Sequence, residues 1–154
     1  MKHRKLNRLP DFDYTSSKNY YVTINTKHFK SFFGYVAEKK MFKSKIGEIA
    51  ESQWYWLEEQ YPYVSLHTFI VMPNHIHGII EINSERVDNN VKIKSLSELM
   101  GAYKTTTSKQ IHQQYDESFG WHRSFYDRII RDMNEFEEIR DYVESNPERW
   151  KYPR

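Results

Sequence analysis

The chain has 154 residues, enough for one domain with a real core, and a formal net charge of +2. It contains no cysteine, which excludes disulfides, thiolate zinc sites and cysteine nucleophiles. No stretch is long and apolar enough to span a membrane, and the basic N-terminus is not followed by the apolar segment of a secretory signal, so a cytoplasmic protein is expected.

In chain order, "YYVTINT" (20–26) is rich in β-branched and aromatic residues and reads as a strand. Residues 42–61 carry Ile46, Ile49, Ala50, Trp54 and Leu57 at helical spacing, and Pro62 stops them. "YVSLHTFIVM" (63–72) and "HIHGIIEI" (75–82) read as two strands joined at the turn Pro73-Asn74, an antiparallel hairpin. Residues 95–115 read as a helix with a serine cap and Leu96, Leu99, Met100 and Tyr103 on one face. A short strand is expected within "ESFGWHRSFYDRII", and residues 134–146 read as a last helix capped by Asn134 and ending before Pro147. The order matches an α+β, ferredoxin-like split βαβ sandwich with an antiparallel sheet and an added C-terminal helix. No repeat or linker divides residues 1–154, so a single domain is expected, preceded by a basic arm at about residues 1–12.

The charge is clustered. Lys2, Arg4, Lys5 and Arg8 form the arm; Lys92, Lys94, Lys104 and Lys109 form a second group; Arg123, Arg128 and Arg131 form a third. Each suits solvated surface, and together they also suit a polyanion partner. With 12 tyrosines, the composition fits a globular protein with a wet functional face.

One pattern carries chemistry. Side chains two apart on a strand share a face, so His75 and His77 stand side by side with Cβ atoms about 7 Å apart, while Ile76 points into the core. That spacing delivers two imidazoles to one metal ion or one phosphate. It equally suits two half-buried structural histidines. Gly78 marks close approach of a ligand or of another backbone, and the reading favours room beside a metal. A histidine-triad hydrolase would need a histidine where Ile79 stands, and the helical His-Glu-x-x-His of zinc proteases is absent.

"VMPNHIHGII" (71–80) resembles the His-hydrophobic-His motif of the one-tyrosine, single-strand DNA transposases of bacterial insertion sequences, the HUH endonuclease-like enzymes. It is most similar to the branch of REP-associated tyrosine transposases. The resemblance runs through "RLPDFDYTSSKNYYVTINT" (8–26), "FGYV" (33–36), "IGEIAESQW" (46–54), "SLSELMGAYKTTTSKQI" (95–111), "WHRSFYDRIIRD" (121–132) and "YVESNPERW" (142–150) in order. His122 departs from it, since the family usually has glutamine there.

The resemblance implies cleavage and rejoining of DNA through a 5′-phosphotyrosine, at single-stranded or hairpin-bearing sites, without a nucleotide cofactor. It makes Tyr142 the nucleophile and Asn146, four residues on, the third ligand beside His75 and His77 for Mg²⁺ or Mn²⁺. By spacing alone, Tyr142 equally suits packing beside Phe136, Ile139 and Val143, and Tyr126 is the rival nucleophile. Arg4, Lys5, Arg8, Lys104, Arg123, Tyr126, Arg128 and Arg131 are expected DNA contacts, with Trp121 and Trp150 as base-stacking candidates. The family includes dimers and monomers, and both remain open. A domesticated module that holds structured single-stranded nucleic acid without cutting it is the alternative.

Overall fold

The structure, a computed structural model, describes residues 17–151. The basic arm, with Arg4, Lys5 and Arg8, lies outside the described residues. Four strands form one antiparallel sheet: β1 (Ser17–Asn25), β4 (Val64–Met72), β5 (His75–Asn83) and β6 (Tyr126–Ile130), in the order β4-β5-β1-β6. With α1 (Lys45–Gln60) and α2 (Leu96–Gln114), this is the expected ferredoxin-like arrangement. Between β1 and α1 the chain inserts a single 3-10 turn (Lys27–Phe29) and a separate two-stranded hairpin, β2 (Gly34–Ala37) and β3 (Lys40–Lys43). The hairpin was not expected from sequence.

Both long helices begin where a serine satisfies the first free amides. Ser44 accepts from the Gly47 amide, and Ser95 with Glu98 forms a reciprocal capping box. Their apolar stripes cover one sheet face. Trp54 of α1 and Tyr103 of α2 meet edge to face at 5.1 Å, and the Tyr103 hydroxyl donates to the Ala50 carbonyl. Val22, Ile24, Ile76 and Ile80 form the sheet side of this core, all fully buried. Ile76 therefore packs as the alternation predicts.

The other face is covered more thinly by α3 (Met133–Glu144), which lies over β4 and β5. Here the sequence reading needs two corrections. The cap is Asp132, whose carboxylate accepts from the Glu135 amide, not Asn134, which lies inside the helix. Nor does one helix run to residue 146. It ends at Ser145, and a separate short helix, α4 (Asn146–Arg149), starts at once with Pro147 in its first turn, where a missing amide costs nothing. Tyr142 and Asn146 thus lie on two helices rather than on one face of one.

Gly78 also has a different role from the one expected. It shares the core-facing side of Ile76, away from the histidines. A Cβ there would stand 2.3 Å from Phe69 Cβ and 2.6 Å from the Thr68 carbonyl oxygen. The register of β4 against β5 shifts between Leu66 and Phe69, and Gly78 makes room for that bulge. The close approach is by a neighbouring strand.

Candidate active site

β5 starts directly after Pro73-Asn74, and this turn is pinned from both sides. Thr26 donates its amide to the Asn74 carbonyl and its hydroxyl to the Lys30 carbonyl, and the Phe33 amide donates to the Pro73 carbonyl. Asn74 is buried. Its side-chain nitrogen donates to the Phe29 carbonyl at 3.3 Å, which turns its oxygen toward His75 Nδ1 at 2.8 Å. An amide oxygen only accepts, so His75 Nδ1 carries the hydrogen and Nε2 is the basic nitrogen.

His77 pairs across the sheet with Thr23 and is 2% exposed. Its Nδ1 lies 2.8 Å from the Tyr21 hydroxyl, while Nε2 is buried without a hydrogen-bond partner. Burial lowers its pKa to about 3; neighbouring His75 and Arg149 act in the same direction, and the Asn146 amide opposes them. His77 is thus neutral near pH 7, the protonation state of a metal ligand. The His75 and His77 rings stand 5.0 Å apart, as the alternation requires.

From the α3–α4 side come the other two residues. Tyr142 is half exposed, and its ring meets His77 edge-on at 5.9 Å. Asn146 is buried, and its Oδ1 has no hydrogen-bond partner. The chain thus brings His75, His77, Tyr142 and Asn146 together around one cavity of about 390 Å³. Among the described residues there is no cluster of three or more His, Cys, Asp or Glu, and the Asn146 amide is the donor that shares this cavity wall with the two histidines.

Seven more residues of the cavity wall escaped the sequence reading, among them Asn74, Tyr21, Phe29 and Arg149. Asn74 read only as a turn and Tyr21 only as a strand aromatic. Phe29 is half exposed at the cavity. Arg149 lies 4.1 Å over the Tyr142 ring and also donates to the Tyr142 carbonyl and the Ser145 hydroxyl. The signal for Arg149 was its place three residues after Asn146, one helical turn on.

Tyr21 and Tyr142 contact His77, and Tyr126 stands behind Tyr21. Tyr21 is held by its hydrogen bond, and burial raises its pKa, so it remains a phenol. Tyr126 is exposed, stands edge-on to Tyr21 at 6.2 Å and does not line the cavity. Tyr142 alone of the three combines exposure with a place on the cavity wall.

The remaining basic candidates are dispersed. Arg128 and Arg131 both pair with Glu135 at the start of α3, tying that helix to the sheet. Lys104 donates to the His122 carbonyl at 2.8 Å, and burial lowers its pKa. Arg123 lines a different cavity, with Tyr20, Ser97 and Asp127. Trp121 packs against Phe33, Tyr103 and Phe119 in the core, whereas Trp150 lines the site beside His75.

Known proteins share this fold. A solved REP-associated tyrosine transposase bound to a REP hairpin superimposes with a TM-score of 0.61 at 14% identity, over 93% of this chain and 74% of that one. A Deinococcus radiodurans R1 protein assigned as a transposase gives 0.56 at 12% identity, over 89% and 96%. An uncharacterized protein of Haemophilus influenzae is 28% identical over 97% of this chain and 91% of its own length. The family model of IS200-like transposases matches residues 19–146, a span that takes in both histidines of β5, Tyr142 and Asn146, and the chain belongs to that family.

Proposed function

We propose that this protein cleaves and rejoins single-stranded DNA, with Tyr142 as nucleophile and a divalent cation held by His75, His77 and Asn146. The observation that carries the reading is the pair of buried, unpartnered atoms His77 Nε2 and Asn146 Oδ1 beside an accessible tyrosine. Unpaired buried polar atoms cost about 1–3 kcal/mol each, a cost that a ligand removes.

His75 and His77 offer neutral nitrogens and Asn146 an amide oxygen, a set that suits Mn²⁺ and also accepts Mg²⁺. When bound, such an ion polarises the scissile phosphate and stabilises its developing charge. Tyr142 Oη attacks phosphorus and gives up its proton. The bond to the 3′-oxygen breaks, that oxygen takes a proton, and the 5′-phosphate stays on Tyr142. Rejoining reverses these steps on a second 3′-hydroxyl. Arg149 sets a positive charge against the Tyr142 ring, where a phosphate oxygen would approach. The DNA-bound relative makes hairpin-bearing DNA the first substrate to test.

The test is covalent trapping. Protein, Mn²⁺ and hairpin-bearing single-stranded DNA are expected to give an adduct that survives denaturing electrophoresis and maps to Tyr142. Tyr142→Phe is expected to lose it and Tyr21→Phe to keep it. An adduct in the Tyr142→Phe variant overturns the nucleophile. Tight binding without cleavage under any divalent ion favours the domesticated binding module.

A further inference from the structure

The β2–β3 hairpin is joined by a two-residue turn, Glu38-Lys39, with both residues at positive φ (52° and 64°). The hairpin turns two faces in opposite directions. Met41 packs against the main core. On the other face Tyr35 and Phe42 are directly paired across the strands, their rings stacked at 5.4 Å with an interplanar angle of 19°. They remain 60% and 45% exposed, so this pair buries little against the rest of the protein. Gly34, at φ +139°, allows the strands to close, since a Cβ there would stand 2.1 Å from the Phe42 carbonyl oxygen.

The surroundings are basic. Lys40 belongs to the same outward face, paired with Ala37, and residues 38–45 hold Lys39, Lys40, Lys43 and Lys45 with one acid, Glu38. Lys43 is engaged by Glu51 at 3.6 Å, which leaves a positive surplus at the turn. The hairpin also adjoins the catalytic cavity. α4, which carries Asn146 and Arg149, packs beside β3, and the Phe33 amide just before β2 holds the turn that precedes His75. An exposed aromatic pair next to lysines offers what an unpaired base and its phosphate require, a flat face and a cation.

We propose that Tyr35 and Phe42, with Lys40, form a stacking platform for the unpaired DNA strand that runs to or from the catalytic cavity. The proposal rests on the reading of this protein as a single-strand DNA enzyme and adds a binding site outside the catalytic cavity. The occupant is single-stranded DNA rather than a second protein, because an aromatic pair with Lys40 on its face and an excess of lysine at the adjoining turn repels another copy of itself and attracts a polyanion.

The test is binding in EDTA, where no chemistry interferes. Fluorescence anisotropy uses a labelled DNA hairpin with a single-stranded flank and, in parallel, the same hairpin with a blunt end. Tyr35→Ala and Phe42→Ala are each expected to weaken binding of the flanked DNA about 5- to 100-fold. Tyr35→Phe keeps the affinity, and the blunt hairpin binds all variants alike. Lys40→Gln is expected to lower the slope of log Kd against log salt by about 0.7. Matching thermal melts confirm that the variants fold. Wild-type affinity in both alanine variants overturns the platform, as does an equal loss on the blunt hairpin. Conversion of a wild-type dimer to a monomer by Tyr35→Ala also overturns it, since the face then joins two copies. The covalent adduct is scored separately: unchanged binding with an intact adduct refutes the platform alone, and weakened binding without any adduct refutes the tyrosine chemistry alone.

Discussion

The two faces of the central sheet differ in how they treat polar atoms. On the α1–α2 side, aromatic and aliphatic groups close a dry core, and the buried Tyr103 hydroxyl has its acceptor in Ala50. Trp54 Nε1 and Thr107 Oγ1 are unpartnered there, but neither lines a described cavity. On the α3–α4 side a short helix covers only part of the sheet; His77 Nε2 and Asn146 Oδ1 are unpartnered and converge on one cavity, whereas Asn19 Oδ1 is unpartnered away from it. One face thus supplies stability, and its rigidity allows the other to leave polar atoms unsatisfied. The strand that carries His77 is anchored from behind by Ile76 and Ile80.

That division can be broken from either side. The largest effect is expected from Tyr142→Phe, which should remove adduct formation by a factor of at least about 10³ while the melting temperature stays near wild type, because the ring is half exposed. The mirror experiment is Trp54→Ala, which should cost about 3–5 kcal/mol in urea unfolding. The variant that remains folded should still form the adduct. If Trp54→Ala abolishes chemistry without loss of stability, the two faces are not separable.

A pH titration sharpens the comparison. His77 is neutral in the fold, with its pKa lowered to about 3 by burial, whereas an unfolded histidine titrates near 6.5. Between those values the unfolded chain binds more protons, so this group's stabilisation is complete above pH 6.5 and declines as pH falls toward 3. In EDTA the loss should be on the order of a few kcal/mol, read from unfolding curves at several pH values. His77→Gln should flatten this part of the profile. The smallest effect is expected from Asn74→Ala, which frees the His75 ring to rotate and change tautomer. Divalent-ion affinity by calorimetry should fall about 10- to 100-fold, and ¹⁵N spectra of the metal-free protein should show His75 no longer held with its hydrogen on Nδ1. An unchanged spectrum would remove Asn74 from the site.

Much of the framework was legible because it is periodic. Alternation placed β4 and β5 and set Ile76 against His75 and His77, and a serine cap marked the start of α2; the start of α1 was set three residues early, at Phe42, which belongs to β3. The β2–β3 hairpin was hidden because Glu38-Lys39 occupies a turn normally signalled by Asn-Gly or Asp-Gly. The α3–α4 break was hidden because Tyr142 and Asn146 have helical spacing, and only local geometry shows that Ser145 interrupts the helix. Gly78 was misread because its neighbour belongs to a bulge that no sequence pattern records. In the site itself, the histidines were visible by spacing and Tyr142 and Asn146 by resemblance. Asn74, Tyr21 and Arg149 were not: Tyr21 and Arg149 meet their partners only in the fold, and Asn74, though next to His75, is oriented by the distant Phe29 carbonyl.

The end of α3 at Ser145 has an electrostatic consequence. A helix carries roughly half a negative charge at its C-terminus, from carbonyls with no partner in the next turn. Tyr142 sits in that last turn, so α3 by itself would present an anion-repelling pole to a phosphodiester. The last turn of α3 contains no basic residue to offset it. Arg149 does so from outside the helix: by donating to the Tyr142 carbonyl, its guanidinium covers part of the dipole's negative end and projects a cation over the ring. If Tyr142 is the nucleophile, as proposed, α4 sets a cation against the negative pole of the helix that carries it.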